Sequence, residues 1–172
     1  MTESKIFTNR FYLRTLGKND CNAHYLQWFK DEEIRKFIPS ATREQTLQSI
    51  NEYVTISNSS ANIILLGIFD QLNDLHIGNI KYEILKNETD TAVLGILIGE
   101  REYRGKKVFP EIYRFSSEWL KKEKHVSKVI LGVNKDHSHA IKSYQSVGFQ
   151  IFDQSQYISL FIKDTYCMVN FL

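Results

Sequence analysis

The stretch IGEREYRGKKVFPEIYRFSSEWL, residues 98–120, runs from an apolar segment through a basic, glycine-centred turn into a segment with helical spacing. Gly105 gives the backbone conformational freedom at the turn. Where a helix begins, its unpaired amide N–H groups and positive dipole end favour an anion. Arg104, Lys106 and Lys107 add full positive charges. The pattern indicates a phosphate or diphosphate site, although a solvated surface turn explains a lone motif of this kind equally well.

The segments before the turn have the composition of strands. Residues 7–16 predict a first strand, and residues 62–70, 76–85 and 91–99 are β-rich apolar runs separated by short polar turns. Three strands at hairpin spacing predict an antiparallel meander.

Between the first strand and the meander, apolar residues recur at helical spacing. Residues 21–30 predict a helix with Asp20 as its N-cap, and residues 31–38 predict a further short helical turn. Residues 42–57 predict an amphipathic helix that begins with a capping box at Thr42.

After the turn, helices and strands alternate. The apolar face of residues 108–124 predicts a long helix, with lysines in its last turn. Residues 127–133 predict a strand, and residues 136–148 predict a helix that begins at an Asp136 N-cap and ends at Gly148. The closing runs 156–162 and 165–172 predict two strands. Their exposed edge would allow a homodimer through sheet extension.

The order of elements predicts an α/β (α+β) protein with a mixed, mostly antiparallel central sheet of about seven strands and about four helices. A chain of 172 residues with 42% hydrophobic residues predicts a single domain, residues 1–172. The net charge of +2 argues against nucleic-acid binding. The chain has no apolar run of membrane-spanning length and no signal-peptide pattern, which predicts a cytoplasmic protein without membrane contact. The spacing of Cys21 and Cys167 predicts reduced thiols and no metal site.

Three separated motifs carry the functional interpretation. The turn EYRGKKVFPE reads as Gln/Arg-x-x-Gly-x-Gly/Ala with Arg104 in the leading position, and NKDHSHAIKSYQSVGF reads as Asn-x-x-Ala-x-x-x-Tyr-x-x-x-Gly-Phe. Both resemble signatures of the GNAT superfamily of acyl-CoA N-acyltransferases. The early segment YLQWFKDEEIRKFI is similar to the branch that acetylates ribosomal-protein N-termini and bacterial amino sugars. Lys107 and Phe109 depart from the pattern, since they stand where the family usually has glycine or alanine.

The resemblance implies a GNAT-like sheet and a site for acetyl-CoA as co-substrate. The residues that it places at the diphosphate are Arg104, Gly105, Lys106, Lys107, Val108 and Phe109. The pantetheine arm would pair with the preceding strand at Leu97 and Ile98, and would meet Asn134 and His137. Both of the latter alternatively cap the helix that follows them.

The resemblance also implies a catalytic acid. It assigns Tyr144 to protonate the leaving thiolate, whereas helical spacing alone favours a core residue. We predict Glu83 as the general base because it lies on the strand before the acyl-CoA strand, with His76 and His24 as further candidates. For any single Glu or His, a solvated or hydrogen-bonded structural role is the alternative.

The early helices would shape the pocket for the acceptor amine. Arg35 would meet an acidic acceptor, while Phe37, Tyr25 and Trp28 would line the pocket or, for the latter two, pack in the core. The resemblance favours a small-molecule amine acceptor, in particular a nucleotide-linked amino sugar of bacterial surface-glycan synthesis. An N-terminal acetyltransferase of a ribosomal protein or peptide fits the same segment. The substituted turn leaves a non-catalytic CoA-binding module as a third alternative.

Overall fold

The computed structural model describes residues 5–38, 43–152, 157, 160–162 and 164–172. The strands in these residues are β1 (Ile6–Phe7), β2 (Phe11–Thr15), β3 (Ile63–Asp70), β4 (His76–Leu85), β5 (Glu88–Ile98), β6 (Lys128–Asn134), β7 (Gln150–Ile151) and β8 (Thr165–Phe171). The helices are α1 (Ala23–Trp28), α2 (Glu32–Phe37), α3 (Leu47–Ser59), α4 (Val108–Lys124) and α5 (Ser138–Gln145).

The strands form one sheet in the order β1-β2-β3-β4-β5-β6-β8-β7. The β5–β6 pair is parallel, while β1–β2, β2–β3, β6–β8 and β7–β8 are antiparallel. This confirms the predicted mixed, mostly antiparallel sheet, and the described residues contain eight strands instead of about seven and five helices instead of about four. One extra strand arises because the predicted first strand is split by a turn, in which Thr8 N and Oγ1 both donate to the Phe11 carbonyl.

The backbone separates into two compact units. The first contains residues Met1–Tyr82 and Ile96–Arg104, and the second contains Glu83–Gly95 and Gly105–Leu172. The chain passes between them along β4 and β5, each of which contributes residues to both units.

The first unit has its core between its strands and α1 to α3. The buried members of this core are Tyr12, Leu16, Tyr25, Trp28, Ile34, Ile50, Val54, Leu65 and Phe69. Tyr12 stacks on Phe69 with ring centroids 5.2 Å apart. This packing fixes α1 against the beginning of β4, where the Tyr25 and Trp28 rings both lie edge-on to His76.

The predicted caps of the early helices are wrong. Helix α1 is capped by Asn22, whose Oδ1 accepts from Tyr25 N at 3.1 Å. Asp20 is engaged elsewhere, because its carboxylate forms a bidentate pair with Arg14 at 2.8 Å. Helix α3 is capped by Thr46 in a capping box with Ser49. Thr42, the predicted cap of that helix, lies outside the described residues.

The second unit is built on α4, whose predicted bounds are confirmed. The parallel register of β5 and β6 runs from Thr91↔Lys128 to Val93↔Ile130, whereas β6 pairs with β8 along its whole length to Asn134. Helix α5 begins at Ser138 with His137 as its N-cap residue, so the predicted cap at Asp136 is wrong.

The predicted strand over residues 156–162 is also wrong at the residues that are described. Tyr157 is helical and Leu160 lies in a turn, while β7 takes the place of that strand beside β8. The cause is tertiary: the buried Tyr157 hydroxyl lies 2.7 Å from both carboxylate oxygens of Glu88 and 2.9 Å from Lys128 Nζ. These contacts outweigh the β-propensity of the segment.

The described residues also bear on the expectations for membrane spans, metal sites and cysteines. Across those residues, no helix combines the length and apolar character that crossing a membrane requires. The same residues contain no cluster of three or more His, Cys, Asp or Glu side chains that would suit a metal ion. Cys21 and Cys167 are both free thiols.

Candidate active site

The basic turn is open and exposed in the second unit. Gly105 has φ +72°, and a Cβ built on it would meet no heavy atom within 4 Å. Gly105, Lys106 and Lys107 are exposed, whereas Val108, the first residue of α4, is buried. Lys107 is the N-cap residue in the left-handed conformation, at φ +57°, and its side chain makes no capping hydrogen bond. The site therefore combines a helix N-terminus, local positive charge and open space, which suits a phosphate group.

Phe109 does not obstruct this turn. Its side chain is buried, stacks on Tyr113 at 5.3 Å and meets Tyr144 edge-on at 5.0 Å. Phe109, which stands where the family usually has glycine or alanine, thus packs its side chain in the core of the second unit. Any contact of Phe109 with an anion at the turn would use its backbone amide.

Tyr144 is the predicted catalytic acid and lies on α5. It packs edge-on against Phe109 and Phe149, and burial raises its pKa to about 12. The phenol is therefore protonated throughout the physiological pH range and acts as a hydrogen-bond donor. The contact with Phe109 brings a predicted catalytic residue and a residue of the predicted diphosphate turn together.

Asn134 and His137 lie where β6 gives way to α5. The Oδ1 atom of Asn134 accepts from Asp136 N at 2.8 Å, and the Asn134 carbonyl accepts from His137 N at 2.9 Å. Both residues thus shape the start of α5, which is the alternative that their sequence positions left open. Their contact with a pantetheine arm stays a prediction.

Arg104 fastens the end of β5 in the first unit. Its guanidinium donates from Nε to the Ile98 carbonyl at 3.0 Å and from Nη2 to the Gly99 carbonyl at 2.7 Å. Its Nη1 donates to Asp31 and Glu33 of the α2 N-terminus, both at 3.0 Å. The observed contacts are structural, and the predicted contact of Arg104 with a diphosphate stays a prediction.

The end of β5 lies against the beginning of β4. A Cβ on Gly78 would fall 2.3 Å from the Leu97 carbonyl oxygen, so only glycine permits this approach. The amides of Gly99 and Glu100 both donate to the Ile77 carbonyl, at 2.9 and 3.1 Å. This shared acceptor ends the ladder in the manner of a bulge and directs the chain away from the strand after Ile98.

Three side chains and one backbone carbonyl gather at this end of β5. Glu100 Oε1 accepts from Trp28 Nε1 at 2.7 Å and lies 3.1 Å from His24 Nε2. The same His24 nitrogen lies 3.1 Å from the His76 carbonyl oxygen. Glu100 was not predicted as a site residue. Its one sequence signal is a carboxylate placed directly after the strand that the resemblance assigns to the acyl group.

The candidate bases differ in accessibility. His76 is buried between Phe69, Tyr25 and Trp28, and burial lowers its pKa, although the contact of its Nε2 with Asn79 Oδ1 at 2.8 Å opposes the shift. Among the described residues its Nδ1 is buried without a partner. His24 keeps 39% of its side-chain surface exposed. Glu83 is half-buried on β4, and its role as base stays a prediction.

A cationic groove adjoins α1 and α2 in the first unit. It has a volume of about 400 Å³ and is lined by Leu26, Phe29, Lys30, Arg35, Arg43, Glu44 and Gln45. Three cations face one carboxylate, which favours an anionic occupant. Arg35 was predicted to meet an acidic acceptor, while Tyr25 and Trp28 are buried core residues, as their spacing alone suggested.

Known acetyltransferases share this fold. One is a ribosomal L7/L12 alpha-N-protein acetyltransferase in complex with coenzyme A (TM-score 0.83, 11% identity, 98% of each chain covered). Another is the aminoglycoside acetyltransferase AAC(6')-Ib, also with coenzyme A (0.74, 18%, 94% of each). A third is a spermidine N-acetyltransferase chimera from Vibrio cholerae and hSSAT (TM-score 0.77, 17% identity, 95% of this chain and 96% of that one covered).

The sequence itself identifies the family. Residues 10–150 match the family described as acetyltransferase (GNAT) domain, which is most of the chain. The match includes the basic turn, the end of β5 and the α5 tyrosine. The chain therefore belongs to the GNAT acetyltransferase family.

Proposed function

We propose that this protein is an acetyl-CoA-dependent N-acetyltransferase that acts on a primary amine of a small acceptor, in particular a nucleotide-linked amino sugar. The observation that carries the proposal is the open turn Gly105–Lys107 at the start of α4, in a chain of this family. Two proteins of the same fold were solved with coenzyme A bound, which supports the choice of co-substrate.

The turn fits a diphosphate in charge and in space. Lys106 and Lys107 supply two cations, and the first amides of α4 supply donors without a side-chain cap from Lys107. In the first unit, Leu97 and Ile98 offer strand backbone to an extended arm, as the family resemblance implies. Acetyl-CoA supplies the acyl thioester, and the protein must meet the other requirements of acetyl transfer.

Those requirements are a neutral amine, a held carbonyl and a donor for the departing sulfur. Tyr144 meets the third because its phenol keeps its proton at any physiological pH. A pKa of about 12 makes full proton transfer to a thiolate unfavourable, so we assign Tyr144 a hydrogen bond to the developing negative charge on sulfur.

The cationic groove supports an acceptor that carries phosphate. Lys30, Arg35 and Arg43 would meet a nucleotide diphosphate, and Phe29 offers an apolar wall to a base or sugar. A polyamine acceptor would be repelled by the same three cations. The charge of the groove is thus the physical argument for an amino-sugar nucleotide, which otherwise rests on resemblance.

An N-terminal peptide is the second candidate acceptor. It is favoured by the fold similarity to the ribosomal L7/L12 alpha-N-protein acetyltransferase, which covers 98% of both chains. An acidic peptide would satisfy the same groove, so charge alone does not separate the two acceptors.

Acceptor-dependent release of CoA tests the proposal. Purified protein is incubated with acetyl-CoA, a thiol reagent and either amino-sugar nucleotides or N-terminal peptides. Turnover with the nucleotides supports the first candidate, and turnover with peptides alone replaces it by the second. Calorimetric binding of acetyl-CoA without turnover of any acceptor would leave a non-catalytic CoA-binding module. An absence of acetyl-CoA binding would refute all three.

Two variants test the assigned residues. Lys107→Glu should weaken acetyl-CoA binding in a salt-sensitive way, whereas Lys122→Glu, at the other end of α4 and 83% exposed, should not. Tyr144→Phe should lower kcat by about tenfold or more with acetyl-CoA affinity retained. An unchanged kcat would leave Tyr144 as a packing residue.

A further inference from the structure

We infer that His24 is the general base of the acetyl transfer, that the His76 carbonyl holds it in the reactive tautomer and that the Glu100 carboxylate favours this tautomer. The inference rests on the proposed N-acetyltransferase function and adds the group that removes the proton of the amine. It is carried by the geometry of three side chains and the His76 carbonyl in the first unit. The sequence alone favoured Glu83 for this part.

The first step is the tautomer of His24. Its Nε2 lies 3.1 Å from Glu100 Oε1 and 3.1 Å from the His76 carbonyl oxygen. A carbonyl oxygen only accepts hydrogen bonds, as does an ionised carboxylate, so Nε2 must carry the proton. In the neutral ring the lone pair is then on Nδ1. The hydrogen bond to the His76 carbonyl thus defines which nitrogen of His24 acts as a base, and the neighbouring carboxylate favours the same tautomer.

The second step is the rigidity of this arrangement. Glu100 Oε1 is held by Trp28 Nε1–H at 2.7 Å, and Trp28 is 4% exposed in the core. The His24 ring lies edge-on to the same indole, with centroids 5.7 Å apart. Because His24 and Trp28 are separated by four positions on α1, the helix itself sets their contact. The carboxylate is therefore held beside His24 Nε2, the place that the third member of a catalytic triad takes next to its histidine.

The third step is access to Nδ1. Within the described residues, Nδ1 of His24 makes no hydrogen bond, and it is not among the buried polar atoms that lack a partner. With 39% of the side chain exposed, this lone pair is open to an acceptor molecule or a bridging water. His76 fails on this point, since its own Nδ1 is buried.

The fourth step is position. Glu100 follows β5 directly, and its amide shares the Ile77 carbonyl with Gly99. The base thus lies at the end of β5 that carries Leu97 and Ile98, where the family resemblance places the acyl group. A proton acceptor at this end of the strand is within the region where the amine must approach.

The acetyl transfer balances in bonds, electrons and protons with the amine, the thioester and His24. The amine nitrogen gives its lone pair to the acyl carbon to form the N–C bond, and one N–H proton passes to His24 Nδ1. The C–S bond breaks, and its electron pair leaves on sulfur. The imidazolium then returns the proton to solvent, so the chain is restored without an added oxidant or reductant. Within the described part of the chain, the Nε2 side of His24 meets one charged group, the Glu100 carboxylate, and the backbone carbonyl of His76.

Kinetics on the acceptor that the wild type uses provide the main test. His24→Gln should lower kcat by about 10²-fold or more, with KM for acetyl-CoA unchanged, and should remove the acidic limb of the pH profile of kcat/KM. Glu100→Gln should lower kcat by about tenfold through loss of the oriented tautomer. The matched control is His139→Gln, an exposed histidine of α5, which should retain wild-type activity.

The outcomes separate this inference from the proposed function. Wild-type protein without turnover on any amine refutes the function, and the base with it. An active wild type with an equally active His24→Gln variant refutes the base alone, as does a lower rate with an unchanged pH profile. Nitrogen-15 NMR of the histidine side chains gives a readout that does not need turnover: a neutral His24 ring with its proton on Nδ1 in place of Nε2 would also overturn the inference.

Discussion

Replacement of Arg104 by methionine would show whether this residue fastens β5 or binds a phosphate. The side chain is 18% exposed and makes four hydrogen bonds, two to backbone carbonyls and two to carboxylates of α2. Glu33 is 57% exposed, so its bond contributes about 0–0.5 kcal/mol. The other three, at about 1 kcal/mol each, total about 3 kcal/mol. Methionine fills similar volume but leaves the carbonyls of Ile98 and Gly99 without this donor.

We therefore expect Arg104→Met to lower the free energy of unfolding by about 3 kcal/mol, measured by urea denaturation at pH 7. Arg104→Lys should recover about 1 kcal/mol, because an ammonium cannot reach two carbonyls and a carboxylate in a planar fork. The control is Arg101→Met, an exposed residue three positions earlier, which should change stability by less than about 0.5 kcal/mol.

The pH dependence of the unfolding free energy gives a second test of the contact between Arg104 and Asp31. Burial alone would raise the pKa of Asp31, but the hydrogen bond and charge of Arg104, together with the backbone amides of Ile34 and Glu33, lower it. A lowered carboxylate pKa stabilises the fold above the unfolded value of about 3.9, and this contribution is lost as the pH falls through the folded value. The difference between wild type and Arg104→Met should thus shrink below about pH 4. Unchanged stability at pH 7 with acetyl-CoA affinity reduced about tenfold would instead establish Arg104 as a phosphate ligand.

Three further changes test separate features. Gly99→Ala should cost about 1–3 kcal/mol of unfolding free energy by urea denaturation, because its Cβ would fall 1.9 Å from Trp28 Cδ2; Gly17→Ala, with only an ordinary contact at 3.8 Å, should cost less than about 1 kcal/mol. Lys107→Gly should raise stability by up to about 1 kcal/mol through relief of its φ of +57°, and a lower melting temperature would contradict that strain. Burial lowers the pKa of His76, so its neutral form stabilises the fold fully above about pH 6.5, and this contribution declines as the pH falls from there to the folded value. Wild type should then lose up to about 1.4 kcal/mol per pH unit more than His76→Gln over that range, and parallel profiles would contradict it.

The elements with strong local signals could be predicted from the sequence. The bounds of β4 and α4 agree with the prediction, because each is a long run with one clear periodicity. Helix caps could not be predicted as well, since Asp20, Asn22 and Asp31 are all suitable caps by residue type. A tertiary contact determines which residue caps α1: because Asp20 is paired with Arg14, Asn22 is the cap.

The candidate site also contains one part that could be predicted from local sequence and one part that could not. The turn at Gly105 is a local motif, so its openness and charge followed from residues that are adjacent in the chain. The base is not local: His24 and Glu100 are 76 positions apart, and no periodicity joins them. Only the folded chain shows that Glu100 Oε1 is 3.1 Å from the imidazole.

Gly99 links the stability of the fold to the geometry of the proposed base. Gly99 lies directly under the Trp28 ring, and its lack of a side chain allows the indole to reach Glu100 at 2.7 Å. If His24 is the base, then Gly99→Ala should lower kcat as well as stability, because a displaced indole releases the carboxylate that orients the imidazole. The loss of kcat should be smaller than in His24→Gln and similar to that in Glu100→Gln. A Gly99→Ala enzyme that is less stable but fully active would show that the orientation of His24 does not depend on Trp28.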